Sequence, residues 1–335
     1  MSLSEIKLLD SIENELKNSK NLLAFSAGVD SSALFFLLLR ENIPFDIALV
    51  NYGLRDTSIV EERHAIDLAK EYNLTCYTTK APYFRKNFEK NARDFRYNFF
   101  DSIIKKHSYN NLLTAHQLND QLEWFLMRLT KGAGVNELIG LESISQRKNY
   151  TIIRPLLHIS KEELLDYLKE NDYPYFVDES NFNSKYERNI FRKEFSNRLL
   201  SQYQEGIKRS FQYLQEDKKN LMIGYRELFS HKEFYIIYYS REYQKSRIVD
   251  LYIKRLGYLL SSHQRKEIER LSSVVIGDNW VVESIENRIF IAPYIKIKMP
   301  KTFKEKCRVA KIPSKIRPYL YQEEINPSTL IKLNP

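Results

Sequence analysis

Residues 21–40 read NLLAFSAGVDSSALFFLLLR, with one apolar run on each side of a turn of small residues. This pattern predicts a buried strand, a tight turn and a helix. Backbone N–H groups in such a turn, beside the positive end of the helix, suit a phosphate group. The carboxylate of Asp30 would repel phosphate unless a cation bridged the two, so it predicts bound Mg²⁺. The plainer alternative is that Asp30 or Ser31 only caps the helix.

Four more strand-and-helix pairs follow in the first half of the chain. Their strand-like segments are FDIALVNY at 45–52, TCYTT at 75–79, NLLTAH at 111–116 and YTIIRPLL at 150–157. The helix after the last of them begins with Ser160 and Glu163 at the spacing of a capping box. Five successive units predict an α/β fold, a doubly wound parallel five-stranded sheet whose strand-to-helix turns share one edge.

The pattern changes after residue 200. Residues 203–225 read as one long helix, and later segments mix helical stretches with strand-like alternation. We therefore predict an N-terminal domain at 1–200, a helical linker at 201–225 and a smaller α+β region at 226–335. Residues 1–200 hold 27 Lys and Arg against 28 Asp and Glu, whereas residues 201–335 hold 25 against 15. The basic C-terminal region favours a polyanionic partner such as nucleic acid, and solubility alone is the alternative.

The composition narrows the class of protein. With 43% hydrophobic and 28% charged residues, the chain is expected to fold. Its longest apolar run, residues 33–39, is far shorter than the roughly 18 residues of a membrane span. The start, MSLSEIKLLD, lacks the pattern of a signal peptide. The two cysteines, Cys76 and Cys307, are far apart and form no metal or disulfide motif, so we expect a cytoplasmic protein with no membrane partner.

The turn resembles a known nucleotide-binding loop. SAGVDS at 26–31 is similar to the S-G-G-x-D-S loop of the N-type ATP pyrophosphatases, which cleave ATP between the α- and β-phosphates. The resemblance implies that ATP is held by Ser26, Ala27, Gly28, Val29, Asp30 and Ser31, with Asp30 as the Mg²⁺ ligand. Ala27 stands where the family pattern has glycine. If that position needs a positive φ, alanine costs about 1 kcal/mol there.

Four further segments resemble the tRNA(Ile)-lysidine synthetase family within this superfamily. NYGLRDTS at 51–58 is similar to its H-G-L-R segment after the second strand, and NARDFRYNFF at 91–100 is similar to A-R-x-x-R-Y-x-F-F. TAHQLNDQLEWFLMRLTKGAG at 114–134 is similar to T-G-H-x-x-D-D-Q-x-E-T-x-L-x-x-L-x-R-G-x-G. Residues 152–192 resemble R-P-L-L-x-x-S-R-x-E-I followed by D-x-S-N-x-D-x-x-Y-x-R-N-x-x-R. The match covers nearly all of residues 21–200 and becomes weaker after them.

The resemblance implies a specific reaction. ATP adenylates the C2 oxygen of the wobble cytidine in tRNA(Ile) with a CAU anticodon, and the ε-amine of free lysine then displaces AMP. The product, lysidine, pairs with adenosine and changes the tRNA identity from methionine to isoleucine. The expected cofactors and partners are therefore ATP, Mg²⁺, free L-lysine and this tRNA.

The same resemblance implies residue roles. The expected catalytic residues are Asp30, Asp120, Arg188 and Arg192. Asp120 and Glu123 are three apart on a predicted helix and share a face, so they are expected to bind the lysine ammonium, or one of them to take its proton. Asn119 stands where the family pattern has a further Asp. Arg188 and Arg192 lie at i, i+4 and are expected to stabilise charge on the transferred phosphate. A solvated helix face is the alternative for each pair.

Further candidates carry weaker signals. Arg93 is preferred over Arg96 because it matches the first Arg of the family motif, and His116 either contacts the adenine or ribose or fills space. Residues 299–317 hold seven Lys and Arg against one Glu. From this stretch, Lys304, Arg308 and Lys311 are expected to contact tRNA phosphates and to make binding salt-sensitive.

Two other functions are compatible with the adenylating loop. One is thiolation of a tRNA base, which needs a reactive cysteine or cluster, and neither cysteine lies in such a motif. The other is an RNA-binding module without activity, supported only by the departures at Ala27 and Asn119. Consumption of ATP distinguishes the enzymes from the binding module.

Overall fold

The computed structural model describes residues 6–53, 57–177, 187–221, 224–331 and 333. The chain packs into two compact units that divide between Gln215 and Glu216, inside one long helix. In the described residues, the first unit is built on a six-stranded sheet and the second on a five-stranded sheet.

The first unit alternates strands and helices. Its strands are β1 (Asn21–Ala24), β2 (Phe45–Asn51), β3 (Cys76–Lys80), β4 (Asn111–Leu113), β5 (Ile144–Gln146) and β6 (Thr151–Ile153). Its helices are α1 (Asp10–Lys17), α2 (Val29–Arg40), α3 (Thr57–Glu71), α4 (Phe88–His107), α5 (Leu118–Leu129), α6 (Val135–Leu138), α7 (Lys161–Glu170), α8 (Glu187–Phe191) and the start of α9 (Asn197–Leu221). The strand order is β3-β2-β1-β4-β6-β5.

Successive residues of the central strand point to opposite faces of the sheet, as the pleat requires. Leu23 lies in a core with α1, α2, α3 and α7, whereas Leu22 lies in a second core with α4. Both leucines are fully buried. Helices therefore cover both faces, and the predicted doubly wound α/β class is confirmed.

The five expected strands pair in parallel across the described sheet. The sheet also has an edge strand that the sequence did not predict, because β5 pairs antiparallel with β6. This strand has only three residues, and two of them are exposed, so it carries no apolar pattern. The capping box predicted at Ser160 and Glu163 is confirmed at the start of α7.

The second unit is an α+β structure. Its strands are β7 (Tyr225–His231), β8 (Phe234–Tyr239), β9 (Ser273–Ile276), β10 (Trp280–Ile285) and β11 (Arg288–Pro293), in the antiparallel order β7-β8-β11-β10-β9. Its helices are α10 (Lys245–Arg255), α11 (Ser262–Arg270), α12 (Lys301–Val309) and α13 (Arg317–Gln322). One face of this sheet packs on α10 and α11, and the other packs on α12 and α13.

One boundary in this region differs from the sequence-based prediction. The helix α9 spans Asn197–Leu221 and is kinked at Tyr203, where the backbone is non-helical (φ −131°, ψ 23°), so its long segment begins where the sequence predicts. It ends at Leu221 rather than continuing to residue 225. Tyr225 instead begins β7, where it pairs with Tyr239. Among the described helices, none is both long enough and apolar enough to cross a membrane.

Candidate active site

The loop between β1 and α2 is closed by its own serines. The backbone N–H of Ser26 donates to Ser31 Oγ at 3.2 Å, and Ser31 Oγ donates to the carbonyl of Gly28 at 3.1 Å. Gly28 is the N-cap of α2, so the N–H groups of the following first turn have no partner inside the helix. The loop thus places backbone N–H groups at a positive helix end, which suits phosphate oxygens.

Ala27 adopts the left-handed conformation, with φ 59°. The position where the family pattern has glycine therefore does need a positive φ, and the expected cost of about 1 kcal/mol applies to Ala27. Its side chain is fully buried, and its carbonyl accepts from the N–H of Phe176 at 2.8 Å. These contacts hold the strained residue in place.

A cavity of about 870 Å³ opens beside this loop. Its walls include Ser26, Gly28 and Asp30 from the loop, His116 from the segment after β4, Lys161 from α7 and Arg192 from the segment after α8. Since β1, β4 and β6 are parallel, the segments that follow them meet at the carboxyl edge of the sheet, where ligands bind in such folds. The volume lies within the range of ordinary small-molecule sites.

Asp30 is a half-buried acidic residue on the cavity wall. Its Oδ1 is buried and has no hydrogen-bond partner among the described residues. Burial, followed by the negative charge of Asp120, raises the pKa of Asp30 from 3.8 to about 6. Lys161 and Arg192 act in the opposite direction but do not cancel the rise. A buried carboxylate oxygen without a partner is what a bound cation would satisfy.

The surroundings of Asp30 fit a Mg²⁺ ion that is held partly by the protein and partly by the phosphates of a bound nucleotide. The described residues contain no group of three or more His, Cys, Asp or Glu side chains able to form an all-protein metal site. Mg²⁺ commonly takes only one or two carboxylates and completes its shell with phosphates and water. Asp30 and the phosphate-binding loop together match that type of site.

Asp120 and Glu123 form a buried network with two arginines. Arg188 Nη2 lies 2.5 Å from Asp120 Oδ1, and Arg188 Nε lies 2.8 Å from Glu123 Oε2. Arg192 Nε donates to Glu123 Oε1 at 2.6 Å. The Glu123 side chain is completely buried, whereas 48% of the Arg188 side chain and 20% of the Arg192 side chain are exposed. The network pairs two carboxylates with two guanidinium groups.

This network differs from the expected open anionic pocket for lysine. Both oxygens of Glu123 already accept from guanidinium groups. Asp120 is also held by its helix, because its Oδ2 accepts from the N–H of Gln117 in the capping box of α5. Burial opposes the charge on Arg188, but the two carboxylates outweigh it and raise the Arg188 pKa. The structure therefore brings these four predicted residues together as mutual partners.

His116 and Arg96 lie on the cavity wall, and Arg93 does not. Thr114 Oγ1 and His116 Nδ1 are 2.9 Å apart. Burial lowers the pKa of His116 to about 4, so the ring is neutral at pH 7. The exposed Arg93 lies over the ring of Tyr97, with its guanidinium carbon 4.9 Å from the ring centroid. The preference for Arg93 over Arg96 is thus not matched by their positions.

Lys161 is a cavity residue that the sequence reasoning missed. It is the first residue of α7, and its backbone N–H donates to Asn119 Oδ1 at 3.0 Å. Within the described residues its ammonium makes no ion pair, and its charge acts on Asp30. The signal was present, since the capping box at Ser160 places residue 161 at a helix start on the ligand-binding edge of the sheet.

The three residues expected to bind tRNA lie in or next to α12 of the second unit. All three are exposed. Arg308 pairs with Glu305 at 2.6 Å, and Lys311 pairs with Glu286 at 2.8 Å. Exposed ion pairs of this kind are worth little, so these cations remain able to exchange partners.

The sequence of this chain matches a known domain family and known proteins. The profile of the PP-loop domain matches residues 2–199. The chain is 45% identical to a curated tRNA(Ile)-lysidine synthase from Campylobacter jejuni strain RM1221, covering 97% of this chain and 99% of the relative. It is 42% identical to a curated tRNA(Ile)-lysidine synthase from Helicobacter pylori, covering 94% of this chain and 93% of the relative.

A solved structure supports the fold alone. The U34-tRNA thiolase NcsA from Methanococcus maripaludis, solved with its 4Fe–4S cluster, aligns with a TM-score of 0.51 and 20% identity. The alignment covers 61% of this chain and 74% of the thiolase.

Proposed function

The chain belongs to the tRNA(Ile)-lysidine synthase family of PP-loop proteins, and from this we infer that it joins free lysine to tRNA(Ile). The product is lysidine at the wobble cytidine of the CAU anticodon, formed with conversion of ATP to AMP and pyrophosphate. The observation that carries the proposal is the identity of 45% over nearly the full length of both chains. The reaction belongs where tRNA, ATP and lysine occur together, which is the cytoplasm.

The first step is adenylation. The C2 oxygen of the cytidine attacks the α-phosphorus of ATP, a phosphorus–oxygen bond forms, and pyrophosphate leaves. The donors of residues 26–31 hold the phosphates, and Lys161 and Arg192 offset the charge that develops on them. Asp30 would hold Mg²⁺, which when bound would stabilise negative charge on the phosphate oxygens.

The second step is attack by lysine. The neutral ε-amine forms a bond to C2, the adenylated oxygen leaves with AMP, and the nitrogen loses a proton. We assign Asp120 as the contact for the lysine ammonium, because its Oδ1 already binds a cation in the structure. Arg188 is the group that lysine replaces there, since it is the more exposed of the two arginines. Glu123, which is fully buried, serves to hold Arg192.

The remaining contacts concern the tRNA itself. Lys304, Arg308 and Lys311 bind phosphates by exchanging weak surface ion pairs for phosphate contacts where such pairs exist. Thiolation is the weaker candidate. The two cysteines lie in different units, and burial raises the pKa of Cys76 to about 11, which disfavours a reactive thiolate.

One experiment tests the proposal. The protein is incubated with radiolabelled lysine, ATP, Mg²⁺ and tRNA(Ile) transcript bearing CAU, and the tRNA is digested to nucleosides. Label in an alkali-stable nucleoside, absent from a transcript with a GAU anticodon, is the expected result. Label in an alkali-labile ester would indicate aminoacylation instead, and consumption of ATP without any lysine transfer would overturn the assignment.

A further inference from the structure

Two arginines from different parts of the first unit meet at one aromatic ring. Tyr97 lies on α4, and the guanidinium carbon of Arg93, one turn earlier, is 4.9 Å from its ring centroid. Arg147, the residue directly after β5, places its guanidinium carbon 5.7 Å from the same centroid. We call Arg93, Tyr97 and Arg147 the Tyr97 cluster. Both arginines are exposed.

The Tyr97 cluster carries positive charge that the described part of the chain leaves uncompensated. Neither Arg93 nor Arg147 forms an ion pair with a carboxylate of the described residues. Asp101, further along α4, accepts a hydrogen bond from Tyr150 at 2.6 Å. Two positive charges near one ring, without a carboxylate partner, suit an external anion, and the planar fork of arginine matches phosphate geometry.

The position of the cluster indicates which phosphates it meets. Tyr97 and the neighbouring Arg96 line the cavity, whereas Arg93 and Arg147 do not. Tyr97 is braced by an edge-on contact with the buried Phe100, at 6.3 Å between ring centroids. The two guanidinium groups therefore lie outside the cavity lining, beside the ring of Tyr97, which Phe100 holds in position. Inside the cavity, the loop of residues 26–31 and Lys161 are available to bind the phosphates of ATP, so the cluster is not needed for them.

We propose that the Tyr97 cluster binds the RNA backbone beside the nucleotide that enters the cavity. The inference rests on the proposed function, because it takes RNA as the substrate. A base that enters the cavity brings its flanking phosphates past the cavity wall, where Arg93 and Arg147 are exposed. Positive side chains that follow the RNA backbone are a common way to hold single-stranded nucleic acid without reading its sequence.

The test is the salt dependence of tRNA binding by the full chain. Arg93→Ala and Arg147→Ala are compared with Lys105→Ala, an exposed cation near the other end of α4. Each contact with single-stranded RNA contributes about 0.7 to the slope of log K against log salt. When salt is raised from 50 to 200 mM, tRNA affinity falls by some factor in the wild type. That factor should be about 2.6 times smaller in each arginine variant and about seven times smaller in the double variant.

Further variants separate charge from stacking, and RNA from ATP. Arg93→Lys and Arg147→Lys should restore the salt slope but not the full affinity, because lysine keeps the charge and loses the planar, two-pronged guanidinium group. The KM for ATP should be unchanged in all these variants. Slopes equal to those of the wild type and of Lys105→Ala would overturn the inference. A raised KM for ATP with normal tRNA binding would also overturn it, because the cluster would then serve the nucleotide.

The binding assay does not depend on the proposed chemistry. If the wild type transfers no lysine but the arginine variants flatten the salt slope, the RNA surface stands and the proposed reaction fails. If lysine is transferred and the slopes do not change, the reaction stands and the Tyr97 cluster is a solvated surface.

Discussion

Replacing Asp30 by asparagine should stabilise the catalytic unit while abolishing turnover of ATP. The pKa of Asp30 rises from 3.8 to about 6 in the folded protein. A carboxyl with a raised folded pKa destabilises the native state once it ionises, by about 1.4 kcal/mol for each tenfold weakening of the acid. The cost at pH 7 is therefore about 3 kcal/mol. The amide of Asn needs its own partner, and the first turn of α2 loses a favourable negative charge, so we expect a net gain of about 1–2 kcal/mol.

The sign of the pH dependence follows from the same raised pKa. Below pH 4 Asp30 is protonated in both the folded and the unfolded state, so the variant and the wild type should differ least there. As pH rises from about 4 to about 6, only the wild type loses stability, because its unfolded state releases the proton first. The advantage of Asp30→Asn should therefore grow over this interval and stay constant above pH 6.

Urea unfolding measures the difference in stability between Asp30→Asn and the wild type, and tryptophan fluorescence restricts the measurement to one unit. The chain has two tryptophans, Trp124 in the first unit and Trp280 in the second. In a Trp280→Phe background, fluorescence reports on α5 of the catalytic unit. Asp67→Asn is the matched control, since this aspartate is 64% exposed and should change stability by less than about 0.5 kcal/mol.

Ligand binding supplies the second half of the test. ATP with Mg²⁺ should stabilise the wild type against urea and should have little effect on Asp30→Asn. A variant that is both inactive and less stable than the wild type would refute the account of Asp30 as an uncompensated buried charge. Near-normal turnover would refute its role in holding Mg²⁺.

Three further substitutions test other parts of the site. Glu123→Gln should destabilise the first unit by about 2–3 kcal/mol in the same urea assay, because the two arginines lose their buried carboxylate partner. The control Glu187→Gln, in an exposed pair, should cost less than about 0.5 kcal/mol, and equal losses in the two variants would contradict this account. Lys161→Met should reduce kcat/KM for ATP at least tenfold with unchanged unfolding, and Lys161→Arg should recover part of it; steady-state kinetics showing no loss would remove Lys161 from the phosphate site. Ala27→Gly should change the free energy of unfolding by less than about 0.5 kcal/mol, since relief of the positive φ is offset by loss of a buried methyl group. A larger change in the free energy of unfolding, measured by urea, would show that one of these two effects dominates.

The sequence predicted the parts of the molecule that local patterns encode. The parallel strands are apolar runs followed by helical periods, and the phosphate loop is a short run of small residues. The antiparallel strand β5 was missed because its short, mostly exposed sequence has no apolar alternation. The end of α9 was missed because strand β7 begins soon after it, with Gly224 at φ 98° as the break.

The contacts of the site residues lay beyond such patterns. Spacing correctly placed Asp120 and Glu123 on one face of a helix, and Arg188 and Arg192 one turn apart. Spacing could not show that these two faces cover each other, because the pairs are separated by 65 to 69 residues of chain. A carboxylate face expected to meet lysine therefore meets arginine in the structure. Only tertiary packing decides which charges neutralise each other.

The same packing explains why an amide is tolerated at Asn119, where the family pattern has a carboxylate. Asn119 Oδ1 accepts from the N–H of Lys161, and its Nδ2 donates to Asn197 Oδ1 at 3.0 Å, so the amide joins the starts of α7 and α9 to α5. The adjacent network already pairs two carboxylates with two guanidinium groups. A third carboxylate would have no cation of that network left to pair with, and its charge would raise the pKa of Asp30 further. Asn119 keeps the three helices connected and adds no charge beside Asp30, whose buried Oδ1 would be the ligand for Mg²⁺ in the proposed reaction.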